Sequence, residues 1–289
     1  MDPLSRIEQA LNAAVGQAEA PDCPPLLAAA MRASVFPRGA RIRPRLCLAV
    51  AAACGEDVPR LTDAAAAAIE LLHCASLVHD DLPCFDDADT RRGRPTVHKA
   101  FGAPLAVLAG DALIVLAFQI LGEAAFAAPL RLAPLVGIVG RSVGVPRGIV
   151  AGQAWESETD VDLSEYQRQK TGALFAAATL AGAASAGAQA EPWRAVGQWL
   201  GEAYQVADDI RDATCSAAEL GKPVGQDVAH DRPNAVLKLG LSGAIDWLDE
   251  LAAHAVDSVP ACPGQSALRS HIASEARRLL PAELALHAA

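Results

Sequence analysis

Apolar residues recur at helical spacing along most of this chain. Leu4, Ile7, Leu11 and Val15 mark an amphipathic helix over residues 3–20, closed by Pro21 and the Pro24-Pro25 pair. A second helix is expected over residues 26–35. Residues 38–45 read as a basic turn leading into a helix over 45–54, which Gly55 ends. Residues 64–78 form an apolar run with no breaker, which is the mark of a buried helix. Pro83 should end or kink that helix just after Asp81. Further helices are expected over 104–127, 129–143, 163–188, 192–212, 233–254 and 264–280. No segment alternates at period two for long enough to make a strand. No linker, internal repeat or low-complexity tail divides the chain, so the pattern predicts an all-α, single-domain helical bundle over residues 1–289.

Composition sharpens this picture. Of the 289 residues, 52% are hydrophobic but only 4% aromatic, so a large core must be built from helices that approach closely across small Ala side chains. The net charge of −10, with no basic stripe to offset it, argues against nucleic acid as a partner. The seven cysteines are odd in number, scattered and without a CxxC pair, and they read as reduced packing residues of a cytoplasmic protein. The first ten residues carry acidic groups and no apolar run of the signal-peptide kind. Residues 171–190 are uncharged but mostly Ala, Gly and Ser, and residues 105–121 carry Asp111 in their middle. Both therefore read as core helices rather than membrane spans.

Chemistry concentrates at the end of the apolar run. Asp80, Asp81, Asp86, Asp87 and Asp89 crowd together there, with Arg91, Arg92 and Gly93 close behind. Five carboxylates at one helix end repel one another unless a cation sits among them. Hard oxygen donors with no cysteine at metal spacing favour Mg²⁺ over Zn²⁺. Mg²⁺ takes few carboxylates and keeps room for phosphate oxygens, for which the two arginines are suited partners. A second helical stretch also ends in carboxylates, Asp208, Asp209 and Asp212, and Asp208 and Asp212 share a helix face. Two such helix ends could hold several Mg²⁺ ions and one diphosphate between them. His73 stands seven residues before Asp80, two helical turns away on the same face.

With these motifs in place the chain resembles the trans-isoprenyl diphosphate synthases, the polyprenyl synthetase family. Asp80-Asp81-x4-Asp86 followed by Arg91-Arg92-Gly93 resembles its first aspartate-rich motif, and Asp208-Asp209-x-x-Asp212 its second. Gly39-x-Arg41-Ile42-Arg43-Pro44, Gly110-Asp111, Gly152-Gln153, Lys170-Thr171-Gly172, Gln205 and Lys222-x-x-Gly225-x-Asp227 follow in family order.

The resemblance implies a helical bundle around a central cavity, a homodimer, and three Mg²⁺ ions per active site. The implied reaction is head-to-tail condensation of isopentenyl diphosphate with dimethylallyl, geranyl or farnesyl diphosphate. It further implies Asp80, Asp86 and Asp208 as metal ligands, with Asp81, Asp209 and Asp212 acting through waters or behind the ligands. Arg91, Lys170 and Lys222 would grip the allylic diphosphate, and Thr171 and Gln205 would line the reacting carbon. Arg43, His73 and Arg92 would bind isopentenyl diphosphate. For Arg41, a solvated charge and a binding role are equally compatible with the sequence.

Product length is implied by the residue five positions before the first aspartate, where a bulky aromatic in the family commonly stops growth at fifteen carbons. Here that residue is Ala75, with Ser76 beside it, so the expected product is geranylgeranyl diphosphate, and farnesyl diphosphate is the alternative. A terpene cyclase would be expected to carry a different second motif, and a non-catalytic subunit to have lost one. The chain departs from the family in three places. Arg38-Gly39-Ala40 replaces Gly-Gly-Lys, which removes one lysine contact to isopentenyl diphosphate and leaves open whether Arg38 replaces it. Arg232 stands for a late lysine, and Glu156 for an aspartate after Gly-Gln.

Overall fold

The computed structural model describes residues 2–36, 39–158, 168–214 and 234–279. These are almost wholly helical and fall into two compact units, one of residues 1–140 with 181–190 and one of residues 141–180 with 191–289.

The first unit is built on α1 (Pro3–Gly16), α2 (Pro25–Val35), α3 (Ile42–Ala53), α4 (Pro59–Asp80), α5 (Val97–Phe101) and α6 (Ala103–Ala124), followed by α7 (Leu132–Val143), whose last residues belong to the second unit. Asp2 caps α1, accepting from the amides of Leu4 at 3.2 Å and Ser5 at 3.0 Å, with Pro3 at the first helical position. The apolar run of α4 forms the core of this unit. Ala65, Ala66, Ala67, Ala68, Ile69 and Leu71 are each 0% exposed. The helix is longer than its apolar run suggests because Pro59 starts it a turn and a half earlier.

α4 packs most extensively on α6, and the two run antiparallel. The His79 ring lies where a side chain on Gly110 would be, while Ala64 and Ala67 share a cavity wall with Ile120 and Glu123 at the other end. Both helices are long and apolar enough to cross a membrane by length and composition, but 72% of the apolar window of α4 is buried in the protein's own core.

Two features of this unit depart from expectation. Residues 90–95 form a two-residue antiparallel ladder, β1 (Thr90–Arg91) with β2 (Arg94–Pro95), too short to show alternation in sequence. Its turn residues, Arg92 at φ 53° and Gly93 at φ 72°, have the two positive φ values of a type I′ hairpin. Arg41 is neither a solvated charge nor a surface contact. It is 2% exposed, in the left-handed conformation at the start of α3, and pairs with Glu8 at 3.0 Å and Glu70 at 2.6 Å while donating to the Val35 carbonyl at 2.8 Å. Removing Arg41 would leave the Glu8 and Glu70 carboxylates buried without their cation, so the group fixes how α1, α3 and α4 meet.

The second unit contains α8 (Ile149–Ala154), a π-helical turn at Arg168–Gly172, α9 (Ala173–Ser185, whose end belongs to the first unit), α10 (Arg194–Thr214), α11 (Ala235–Asp257) and α12 (Gln265–Arg277). Its core joins α10 and α11 through Ala203, Val206, Ala207 and Ile210 against Ala244, Leu248 and Leu251. Asn234 caps α11 through the amides of Val236 at 2.9 Å and Leu237 at 3.3 Å, and Gly240 kinks that helix. Among the described residues the cysteines are free thiols. Burial pushes the Cys74 thiol up to about 12 and raises that of Cys47 further still.

Candidate active site

In the first unit the chemistry gathers where α4 ends. The helix stops at Asp80, Asp81 is its cap residue, and Pro83 lies in the turn that follows. The Asp86 amide donates to the Asp80 carbonyl at 3.0 Å, which folds the loop back over the helix end and gathers both residues at one place. Asp86 is exposed and Asp80 half-buried, so both carboxylates stand at the water boundary. Asp81 is different. It is 3% exposed and takes both oxygens to Arg91, at 2.9 Å from Nε and 2.7 Å from Nη2. Burial works against the Arg91 charge, but Asp81, with Asp80 and Asp86 behind it, holds its pKa above the ordinary value. Asp87 and Asp89 are occupied by Lys99, at 3.3 and 2.9 Å.

A cationic cluster surrounds His73 on the same helix. Burial, followed by the charges of Arg43, Arg92, Arg91 and Arg41, pushes this imidazole well below its ordinary pKa, so it is neutral at pH 7. A neutral imidazole among guanidinium groups is suited to a polyanion, since a bound diphosphate offsets the field that suppresses its protonation. The structure thus brings Arg43, His73, Arg91 and Arg92 together, while Arg41 serves as the buried ion pair described above. Ala75 is 1% exposed and Ser76 half-buried, its hydroxyl donating to the His73 carbonyl at 2.9 Å.

In the second unit two short networks meet at the π-turn, a distortion frequent at functional sites. Lys170 pairs with Glu156 at 2.6 Å, and Glu156 also accepts from Gln153 at 2.7 Å. The turn packs tightly on α8, because a Cβ on Gly152 would stand 2.7 Å from the Lys170 nitrogen. The next residue, Thr171, donates to Gln205 Oε1 at 3.2 Å. The amide of Gln205 donates to Asp209 at 3.1 Å, and Asp209 accepts from the Ala235 amide at 2.7 Å.

Asp209, 3% exposed, is therefore a joint between α10 and the start of α11, whereas Asp208 faces outward, half-buried and paired with Arg211 at 2.9 Å. Asp212 lies one turn further on the same helix. Burial opposes the Arg211 charge, but Asp208, and after it the Tyr204 hydroxyl, hold its pKa up. Lys222, with Gly225, Asp227, Arg232 and Arg38, lies outside the described residues.

Sequence reasoning did not find Glu156 as the partner of Lys170, nor Arg211 as that of Asp208. The second had a signal, since Asp208 and Arg211 are three residues apart on one helix. The first, between residues 14 apart in the chain, had none.

Asp80 and Asp86 in the first unit, and Asp208 in the second, each offer hard oxygens that open to water, the donor chemistry that Mg²⁺ takes. Among the described residues no three His, Cys, Asp or Glu side chains already converge on one point. Acidic helix ends with hard oxygen donors, beside guanidinium and ammonium groups and within an all-α fold, define a protein that handles metal-bound phosphorylated substrates.

Comparison with known proteins narrows the class. Residues 24–254 match the family model "Polyprenyl synthetase", and the chain belongs to that family. It is 54% identical over 280 residues to the geranylgeranyl diphosphate synthase of Cereibacter sphaeroides, covering 97% of each chain. To the protein of that name from Rhodobacter capsulatus it is 52% identical, covering 95% of each. A solved geranyltransferase from Helicobacter pylori, complexed with magnesium and isoprenyl diphosphate, is 28% identical with a TM-score of 0.77, over 95% of this chain and 97% of that one. The all-α, isoprenoid-synthase fold expected from the sequence is therefore the observed one.

Proposed function

We propose that this protein is an Mg²⁺-dependent prenyltransferase that condenses isopentenyl diphosphate with dimethylallyl, geranyl and farnesyl diphosphates, to yield geranylgeranyl diphosphate. The observation that carries this reading is the gathering of Arg43, His73 and Arg92 on the structure that also presents Asp80 and Asp86. A cationic cluster beside an acidic helix end provides for two different diphosphates, as condensation requires. Likeness over nearly the whole chain to geranylgeranyl diphosphate synthases supports the same reading.

The allylic carbon–oxygen bond breaks, the double bond of isopentenyl diphosphate attacks the resulting cation, and a proton is lost. Diphosphate leaves poorly unless its charge is neutralised, which is what bound Mg²⁺, three ions in this reading, supplies. Asp80, Asp86 and Asp208 would hold the metal. Asp81, Asp209 and Asp212 act behind them, Asp81 by fixing Arg91 and Asp209 by fixing Gln205. Arg91, Lys170 and Lys222 grip the allylic diphosphate, and Glu156 keeps Lys170 placed until that anion arrives. Thr171 and Gln205, joined by their hydrogen bond, line the carbon where positive charge develops, and their dipoles stabilise it.

The protein acts in the cytoplasm as a homodimer. α6 leaves Val107 41%, Leu108 53% and Val115 56% exposed, with Asp111 among them on a helix otherwise suited to burial. An apolar face interrupted by a carboxylate suits a second copy of the chain better than lipid. Sedimentation equilibrium at micromolar protein should give twice the chain mass, and a single-chain mass would refute the dimer.

The test of function is incubation with Mg²⁺ and labelled isopentenyl diphosphate, with and without each allylic primer. Label should enter a C20 diphosphate only when primer is present. Untouched isopentenyl diphosphate would refute the reading, and accumulation of C15 would make the product farnesyl diphosphate.

A further inference from the structure

Arg92 is held in a conformation that it would not choose. Its φ of 53° lies in the left-handed region, where a non-glycine residue is strained, and it is placed there by the two-residue turn of the hairpin. The end of its side chain, on an exposed residue, makes one close approach. A Cβ built on Gly39 would come within 2.6 Å of both Nη atoms and 2.7 Å of Cζ, so the guanidinium lies against the bare Cα of Gly39. Gly39 is not among the residues with positive φ, so its backbone does not itself require glycine. What requires glycine there is the guanidinium.

Strain at one end of Arg92 and a fitted seat at the other hold the group beside His73, whose imidazole feels its charge. The next residue after the seat is Ala40, where the family's lysine contact is missing.

We propose that Gly39 is a positioning residue for isopentenyl diphosphate, acting by seating the guanidinium of Arg92 where the diphosphate binds. This rests on the reading that Arg92 contacts isopentenyl diphosphate. The obstruction that a methyl at position 39 meets is the far end of a flexible side chain, so the fold survives and Arg92 moves.

The experiment is steady-state kinetics on Gly39→Ala, Arg92→Ala and the double variant, with thermal melting of each. Gly39→Ala should raise KM for isopentenyl diphosphate roughly tenfold, the loss expected when one charge-assisted hydrogen bond is misplaced. Its kcat, its KM for the allylic primer and its melting temperature should stay near wild type. The double variant should bind isopentenyl diphosphate no worse than Arg92→Ala alone, because Gly39 has no effect once its tenant is gone.

An unchanged KM in Arg92→Ala would overturn the reading of the binding site and the proposal with it. A raised KM in Arg92→Ala with none in Gly39→Ala would overturn the role of Gly39 and leave the site reading standing. Losses that multiply in the double variant, or a Gly39→Ala protein that melts early and loses affinity for both substrates, would show that Gly39 acts through the backbone and not through Arg92.

Discussion

Replacing Asp80 or Asp208 by alanine is expected to lower kcat by more than about a hundredfold while the protein melts at its usual temperature. Each carboxylate opens to water and is cheap to lose from the fold. Asp80 sits at a helix C-terminus, where a negative charge opposes the helix dipole, and that relief offsets part of the attraction to Arg91 that its removal gives up. Asp208 gives up a partly exposed pairing with Arg211, worth about 0–1 kcal/mol.

Asp81 and Asp209 supply the contrast. Both are 3% exposed with their oxygens fully engaged. Asp81→Ala strands the Arg91 guanidinium, and Asp209→Ala leaves the Ala235 amide and the Gln205 side chain without their acceptor, at a cost of about 1–3 kcal/mol each. The four variants should therefore separate into two that lose activity with normal melting and two that lose melting temperature as well. Circular dichroism and kinetics on the four proteins decide the matter. Turnover above about a tenth of wild type in Asp80→Ala or Asp208→Ala would remove that residue from the metal site.

The division between these aspartates marks how far sequence alone reaches. Periodicity placed the helices because burial of α4 and amphipathicity of α10 leave a direct trace in residue order. Pro83 ended α4 where a ring without an amide must. The register of His73 with Asp80 followed from two helical turns.

What did not show was anything set by partners far along the chain. Arg41 reads as a surface arginine, because the carboxylates that bury it are 33 residues before it at Glu8 and 29 after it at Glu70. Glu156 read as a mere departure from the family's aspartate, yet it is the residue that holds Lys170. The hairpin was missed because two-residue strands have no period, although Arg92-Gly93 carried half of a turn signal in its glycine. Gly39 looked like motif spacing, and its reason is visible only once Arg92 lies against it.

Ala75→Phe is expected to shift the product from C20 to C15 while the earlier condensations proceed. The antiparallel seam of α4 and α6 carries the argument. His79 meets Gly110 near its upper end, so one turn down α4 comes Ala75 and one turn down α6 come Leu113 and Ile114. A second turn down brings Leu72 and Leu71, 1% and 0% exposed, to the level of half-buried Phe118. Each turn rises about 5.4 Å, close to one isoprene unit, so a tail that starts at the metals and passes Ala75 gains roughly one unit per turn. Leu72, Leu71 and Phe118 then form the floor for a C20 chain.

A methyl at position 75 lets the tail part the seam, with half-buried Ser76 on its open flank, whereas a phenyl ring closes it one turn higher. The competing explanation is that Ala75 only lets two helices pack closely. In that case phenylalanine overpacks the seam, costs about 1–3 kcal/mol of stability and leaves product length alone. Product chromatography and a melting curve on the same variant separate the two. A C15 product with normal melting places the tail between α4 and α6 beside Ala75, and an unchanged C20 product with early melting places it on another face of α4.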